Sequence, residues 1–245
     1  MCWRTGPPTS VTVPIRFGTY KIRNGRNGGL ESELREMYQV NMYLGIFQET
    51  KVTDGIYIHR SAGYSVVATD APGRHRGGVA VFHRPAPRFA VEANQKSSPN
   101  IIGFQLVTGA QQWYIVGCYL APDDTSTVER VVEALKELPK VAELLVAGDV
   151  NANLAEPEGD RREEDIAATM ATEGLEEMSE HFLQRCRPWF CYGRMWSMLQ
   201  KGREVRSLTD YILGTDLRLF ANVSVRTLGT TQTITWFWVA CQAPP

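Results

Sequence analysis

Short runs of β-branched and aromatic residues recur along the chain, each bounded by glycine, proline or polar turn residues. YSVVAT, GVAVFH, NIIGFQLV, WYIVGCYL and ELLVAGDV are the clearest of them. Apolar runs of about 4–8 residues with such borders predict buried strands, and none approaches the roughly 20 residues that a membrane-spanning helix needs. VPIRFGTYKI and LGIFQE precede these runs, and LTDYILG and NVSVR follow them. A chain so rich in strands must cover their apolar faces, with a second sheet or with helices.

Helical patterns are fewer. Ser32 to Tyr43 places Leu34, Met37, Tyr38 and Met42 at helical spacing. TSTVERVVEALKEL opens on Thr and Ser and puts Val128, Val131, Val132 and Leu135 on one face. The acidic EGDRREEDIAATMATEG predicts a loop and a helix closed by Gly174, and RNGRNGG predicts a turn. Strands in hairpin-like succession with two or three helices suit two packed sheets with helices outside, an α+β or α/β sandwich. At 245 residues the chain fits one large domain or two small ones. No linker divides it, so a single domain is expected after a polar leader over residues 1–13.

Formal net charge is −1, so no global field announces a polyanionic partner, and nucleic-acid binding would have to rest on a local basic surface. The cysteines, Cys2, Cys118, Cys186, Cys191 and Cys241, are odd in number; Cys186 and Cys191 are too far apart for a C-x-x-C knuckle. Reduced thiols inside a cell are the expectation. The opening MCWRTGPPTS lacks an apolar segment and a cleavage pattern, so secretion is not expected. A soluble intracellular protein, the nucleus among its possible locations, without a membrane or an obligate protein partner, fits these features.

The chemistry-bearing residues sit at the ends of apolar strands. Glu49 ends GIFQE, Asp149 and Asn151 end LLVAGDVN, and Asp210 lies in SLTDYIL. An acid directly after a buried strand stands at a sheet rim, where carboxylates and an amide can converge as hard oxygen ligands for Mg²⁺. Such an ion polarises a phosphodiester and helps generate a hydroxide nucleophile. Singly, each residue has a plainer explanation: a solvated strand end for Glu49, a Gly-Asp turn for GDVN, a satisfied buried carboxylate for Asp210. Their combination and order favour a site.

GIFQET, GGVAVFHR, IVGCYLAP, LLVAGDVNANLA and SLTDYILG follow, in that order, the endonuclease/exonuclease/phosphatase superfamily. The chain most resembles the apurinic-type endonuclease domain of non-LTR, LINE-like retrotransposons, over about Pro14 to Arg226. The resemblance implies a DNase I-like, α+β, four-layer sandwich of two packed β-sheets flanked by helices over residues 14–226, with the active site at one rim. It implies a Mg²⁺-dependent (or Mn²⁺-dependent) DNA endonuclease that nicks the phosphodiester backbone by in-line displacement.

By the same resemblance, Glu49 and Asp149 would hold the metal, Asp149 would also activate or orient the attacking water, and Asn151 would position the phosphate. Tyr119, in a Y-x-x-P strand end, would donate to a phosphate oxygen, although a simple strand aromatic is an equal alternative. Ser207 would support the site. Asp210 would orient a histidine that stabilises transition-state charge. Arg74 and Arg76, flanking His75 ahead of Gly77 and Gly78, are the DNA-contact candidates, with Arg23 and Arg26 behind them; a solvated basic loop is the alternative.

Two departures bear on activity. The family's first strand carries an asparagine where this chain has Lys21, which would put a fixed cation beside a metal and weaken its binding unless Lys21 points to solvent. The family also closes on Ser-Asp-His and an apolar strand, whereas no histidine follows His181 here. His59, His75, His83 and His181 lie in the wrong segments to replace it.

The closing VRTLGTTQTITWFWVACQAPP explains that loss. Back-translation of Gly229 to Cys241, read two bases later, permits His-Asn-Ser/Thr-Asp-His-Tyr-Met followed by a forced Val-Leu-Gly. A Ser/Thr-Asp-His and its apolar strand therefore fit a shifted frame beneath Thr231 to Ile234, and residues 227–245 read as a frameshift product. TITWFWVA would then either fill the lost strand's slot or hang free, the alternative being an ordinary native strand. Without a reverse transcriptase, the chain is not expected to retrotranspose alone. The expectation is an impaired endonuclease. The rivals are a small-substrate phosphodiesterase or phosphatase of the same superfamily and a non-catalytic DNA-binding remnant.

Overall fold

A computed structural model describes residues 13–22, 29–53, 57–73, 76–85, 90–93, 98–108, 111–121, 126, 129–131, 133, 143–151, 164–166, 168, 176–177, 196–200, 203–207, 210–214, 220–228 and 232–241. Beyond residue 168 the backbone alone is described.

The first half of the chain runs β1 (Val13–Lys21), α1 (Gly29–Gln39), β2 (Leu44–Gln48), β3 (Tyr57–Ser61), β4 (Tyr64–Ala68), β5 (Val79–His83), β6 (Ala90–Ala93), β7 (Ile101–Thr108) and β8 (Gln111–Tyr119). The second half runs β9 (Glu143–Asp149), β10 (Glu176–Glu177), β11 (Trp196–Gln200), β12 (Arg203–Ser207), β13 (Asp210–Gly214), β14 (Phe220–Leu228) and β15 (Gln232–Cys241). A seven-stranded sheet has the order β14-β15-β1-β2-β5-β4-β3, and a six-stranded sheet has the order β10-β13-β9-β8-β7-β6. β11 and β12 form a separate pair.

Two apolar clusters explain the layers. Phe17, Leu44, Ile46, Val79 and Val81 of the first sheet are buried in one cluster with Ile102, Phe104, Trp113, Ile115, Leu145 and Ala147 of the second. Tyr20, Phe47, Val66 and Phe82, on the other face of the first sheet, cluster with Leu30, Leu34 and Met37 of α1. Every residue of LGIFQ is buried because β2 is covered on both faces, which is why it reads as a continuous apolar run rather than an alternation. Phe47 and Phe82 stack with centroids 4.4 Å apart; burying each such ring stabilises the fold by about 1.5–3 kcal/mol.

The sandwich matches the expected α+β class, with differences in its elements. α1 spans Gly29–Gln39 rather than 32–43. Asn41, at φ 57°, stops it in a left-handed cap: its N–H donates to the Tyr38 carbonyl and the Met42 N–H to the Met37 carbonyl. Met42 is still fully buried, so its apolar spacing was a packing signal beyond the helix end. β3, β6, β10, β11 and β12 are not among the expected strands, because their polar or mixed sequences lack a clean alternation. Residues 126, 129–131 and 133 are helical, as are 164–166 and 168, where two helices were expected; the rest of those segments, with the RNGRNG turn, lies outside the described residues.

The closing segment does not hang free in its backbone. β15 pairs antiparallel with β1 from Val13↔Cys241 to Thr19↔Thr235, and with β14 on its other side. Among the described residues no helix is long and apolar enough to cross a membrane.

Candidate active site

Strand direction assembles the site. β1 and β2 are parallel with Lys21 opposite Gln48, and β8 and β9 are parallel with Tyr119 opposite Asp149. The C-terminal ends of four strands from two packed sheets thus meet at one rim, carrying Lys21, Glu49, Tyr119 and Asp149.

The contacts are direct. The Lys21 ammonium lies 2.5 Å from Asp149 Oδ2 and 3.1 Å from Glu49 Oε1. The Tyr119 hydroxyl donates to Glu49 Oε1 at 2.9 Å. Lys51 Nζ is 3.6 Å from Glu49 Oε2. Asp149 is fully buried, and its Oδ1 accepts the Asn151 N–H at 3.1 Å, a local turn typical of an aspartate two residues before its donor. The Asn151 amide Nδ2 donates to the Leu120 carbonyl at 3.0 Å, tying the segment after β9 to the segment after β8.

Backbone strain is concentrated here. Glu49 and Lys51 (both φ 55°) and Asn151 (φ 49°) occupy the left-handed region, which costs a residue with a Cβ roughly 1–2 kcal/mol. The Gly77–Gly78 segment holds the first two. The Thr50 N–H donates to the Gly78 carbonyl and the Lys51 N–H to the Gly77 carbonyl. A Cβ on Gly78 would fall 2.4 Å from Thr50 Oγ1, and one on Gly77 would fall 2.6 Å from Pro72 Cδ and 2.7 Å from Asn100 Oδ1, so each glycine is required by its own close approach.

Gly148 is also steric. A Cβ there would lie 1.9 Å from the Cys118 carbonyl oxygen. The Gly-Asp pair expected to make a turn instead completes β9, and the turn follows at Val150–Asn151.

Burial alone would lower the Lys21 ammonium, but the Asp149 and Glu49 carboxylates outweigh it and hold it above its ordinary value. Burial pushes the Asp149 carboxyl upward, against the pull of Lys21 and the Asn151 N–H. Lys21 is the strongest of the groups that favour the charged form of Asp149.

Asp210 begins β13 directly opposite Asp149, which brings its backbone to the same rim. Ser207 ends β12 opposite Trp196; the side chains of both lie outside the described residues. Arg76 is exposed and bridges Gly73, whereas Arg74, His75, Arg23 and Arg26 lie outside the described residues. Thr235 stands opposite Thr19, two residues before Lys21, so the start of β15 faces this rim.

Sequence reasoning missed Asn100 and Lys51. Asn100 is buried; its Oδ1 accepts the Gly78 N–H at 3.2 Å and its carbonyl accepts the Tyr119 N–H at 2.9 Å. It links the glycine segment behind Glu49 to the strand end that carries Tyr119. A polar residue just ahead of the apolar IIGFQLV was its only signal.

A divalent ion does not fit the rim as built. The gap between the two carboxylates is filled by the Lys21 ammonium, which donates where an ion would accept. Among the described residues no group of three or more His, Cys, Asp or Glu side chains forms a ligand set.

A two-sheet sandwich with an acidic strand-end rim defines a class, and the family comparison agrees with it. The Endonuclease/Exonuclease/phosphatase family model matches residues 18–234, and the chain belongs to that family. Among solved structures it is similar to the endonuclease domain of TRAS1, a telomere-specific non-LTR retrotransposon, with TM-score 0.70 and 19% identity over 94% of this chain and 100% of that one. It is also similar to the AP endonuclease LMAP from Leishmania major, with TM-score 0.70 and 14% identity over 98% of this chain and 93% of that one. An AP endonuclease from Archaeoglobus fulgidus gives TM-score 0.63 and 14% identity over 93% and 100%. At these identities the likeness shows the fold. No curated protein sequence matches.

Proposed function

We propose that this chain is a phosphodiester-directed domain of DNA-endonuclease descent whose strand-nicking activity is impaired. The observation that carries the reading is the convergence of Glu49, Tyr119, Asp149 and Asn151 on one rim, with Lys21 set between the two carboxylates. The assigned roles follow the resemblance. Tyr119 and Asn151 bind and orient phosphate oxygens, Asp149 orients the attacking water, and Ser207 and Asp210 complete the rim. DNA is the partner, met by Arg74, Arg76 and Arg23. Glu49 and Asp149 are the pair to which Mg²⁺ or Mn²⁺ belongs in an active relative. Here Lys21 stands in that place, which is the first source of the impairment.

Impairment has a second source at the C-terminus. The shifted frame would put its histidine beneath Thr233 and Ile234, at the start of a strand whose next residue but one from Thr233 is paired with β1 near Lys21. On this reading β15 keeps the strand's place beside β1 while the tail lacks its histidine. The family match ends at residue 234, at the start of this strand, which supports the same reading.

A non-catalytic DNA-binding remnant is the second reading, favoured by the self-satisfied Lys21–Asp149 pair. A small-substrate phosphodiesterase or phosphatase would prefer small phosphoesters over plasmid. The test is supercoiled-plasmid nicking in Mg²⁺ by this chain and by a version with its tail frame restored and Lys21→Asn, each beside its Asp149→Ala control. Nicking by the restored protein alone, lost with Asp149→Ala, is the expected result. Equal nicking by the unaltered chain would sink the impairment. DNA binding that survives Asp149→Ala, with no nicking by any form, would establish the remnant.

A further inference from the structure

The rim already contains a cation. Lys21 Nζ touches a carboxylate oxygen on each of two strands from different sheets, at 2.5 Å on Asp149 and 3.1 Å on Glu49. It also lies 5.5 Å from the centroid of the Tyr119 ring, so an aromatic face completes the enclosure. The side chain is 23% exposed and Asp149 is fully buried, which leaves water little access to the contact between them. Glu49 is engaged at both oxygens: Oε1 by Lys21 and Tyr119, Oε2 by Lys51.

We propose that Lys21 is the resident cation of this rim, and that Glu49 and Asp149 bind a divalent ion only after Lys21 is replaced. An ion shared by Oε1 and Oδ2 would sit about 2 Å from each oxygen. The ammonium occupies that space, and two cations so close repel strongly in a site with little water. Only the identity of the displaced ion rests on the endonuclease reading; the occupancy by Lys21 rests on the contacts themselves. One substitution then separates this rim from a divalent-binding one, because Glu49, Asp149 and Asn151 are already in position. Lys51 stays on the outer oxygen of Glu49, 3.6 Å away, so that Oε1, with the Tyr119 hydroxyl still donating to it, and Asp149 Oδ2 face the space Lys21 would vacate.

The test is Mn²⁺ binding, read by the electron paramagnetic resonance signal of free Mn²⁺, with circular dichroism reporting folding. The proteins are the full chain, Lys21→Asn, Lys21→Met and Lys21→Asn with Asp149→Ala. The full chain is expected to leave free Mn²⁺ unchanged up to millimolar concentration. At least one folded Lys21 variant should bind it about tenfold or more tightly than the full chain, and Asp149→Ala should abolish that gain. Two results overturn the proposal: Mn²⁺ binding by the full chain equal to that of the Lys21 variants, or no binding by folded Lys21→Asn and folded Lys21→Met. Plasmid nicking is scored separately. A Lys21 variant that gains Mn²⁺ but never nicks, even with the tail frame restored, leaves this inference standing and removes the endonuclease reading.

Discussion

Two cations sit at opposite ends of the same sheet, and they are held in different ways. At the rim, Lys21 is held by two carboxylates, beside left-handed Glu49, Lys51 and Asn151. At the far end, Arg84 follows β5 and is held by neutral groups. Its guanidinium lies 4.0 Å from the Tyr38 ring centroid, 5.1 Å from that of Tyr64 and 5.4 Å from that of Tyr43. It donates to the Tyr38 carbonyl at 2.9 Å and to Asn41 Oδ1 at 3.0 Å. The Arg84 end is an arrangement for stability, since aromatic faces and carbonyls satisfy a charge without burying an opposite one. The Lys21 end buries charge and stores strain, which a fold tolerates where the residues serve a site.

Substitutions at the two ends sharpen that contrast. The largest effect is expected from Gly148→Ala at the rim, where the new Cβ would collide with the Cys118 carbonyl. A loss of about 3 kcal/mol in urea denaturation is expected, because backbone on both sides must shift. A loss under about 0.5 kcal/mol would mean that β8 and β9 are less tightly apposed there than described.

Next is Arg84→Ala, which removes the stacked guanidinium and its hydrogen bonds for about 2 kcal/mol. Arg84→Lys should recover less than half of this, since an ammonium cannot reproduce the planar fork. Full recovery by lysine would make the two ends alike, with charge alone holding each.

Alkali probes both ends together. Burial pushes the Cys118 thiol beside the rim up to about 12, and burial likewise pushes the Tyr64 hydroxyl under Arg84 up to about 12. Each is an acid kept neutral in the folded state. Its contribution is complete below the ordinary value, 9.0 for Cys118 and 10.0 for Tyr64, and is lost as pH rises toward about 12. Cys118→Ala should cost about 1 kcal/mol at neutral pH and weaken the pH dependence of stability between those values. An unchanged alkaline slope, followed by circular dichroism, would mean that Cys118 titrates normally.

The smallest effect is expected for Tyr38→Ala. More than half of this side chain is exposed, so loss of its stack on Arg84 should cost about 0.5 kcal/mol. A cost matching Arg84→Ala would make Tyr38 the anchor of the cluster.

The residues alone determined the strand runs, the two-sheet class and the strand-end positions of Glu49, Tyr119, Asp149 and Asn151. Apolar periodicity and turn chemistry are local, and a polar residue directly after a buried strand must emerge at a rim. The missing histidine and the shifted-frame pattern beneath the tail are also properties of the sequence. Tertiary structure decided what local patterns do not encode. Whether Lys21 faced solvent or the carboxylates depended on the parallel register of β1 with β2 and on how the two sheets pack. The linking place of Asn100, between Gly78 and Tyr119, joins segments distant in the chain. The requirement for Gly148 is likewise tertiary, because the Cys118 carbonyl that excludes a Cβ there belongs to another strand. The strand slot taken by β15 required β1 as its partner, and a pairing across more than two hundred residues leaves no mark in either segment by itself.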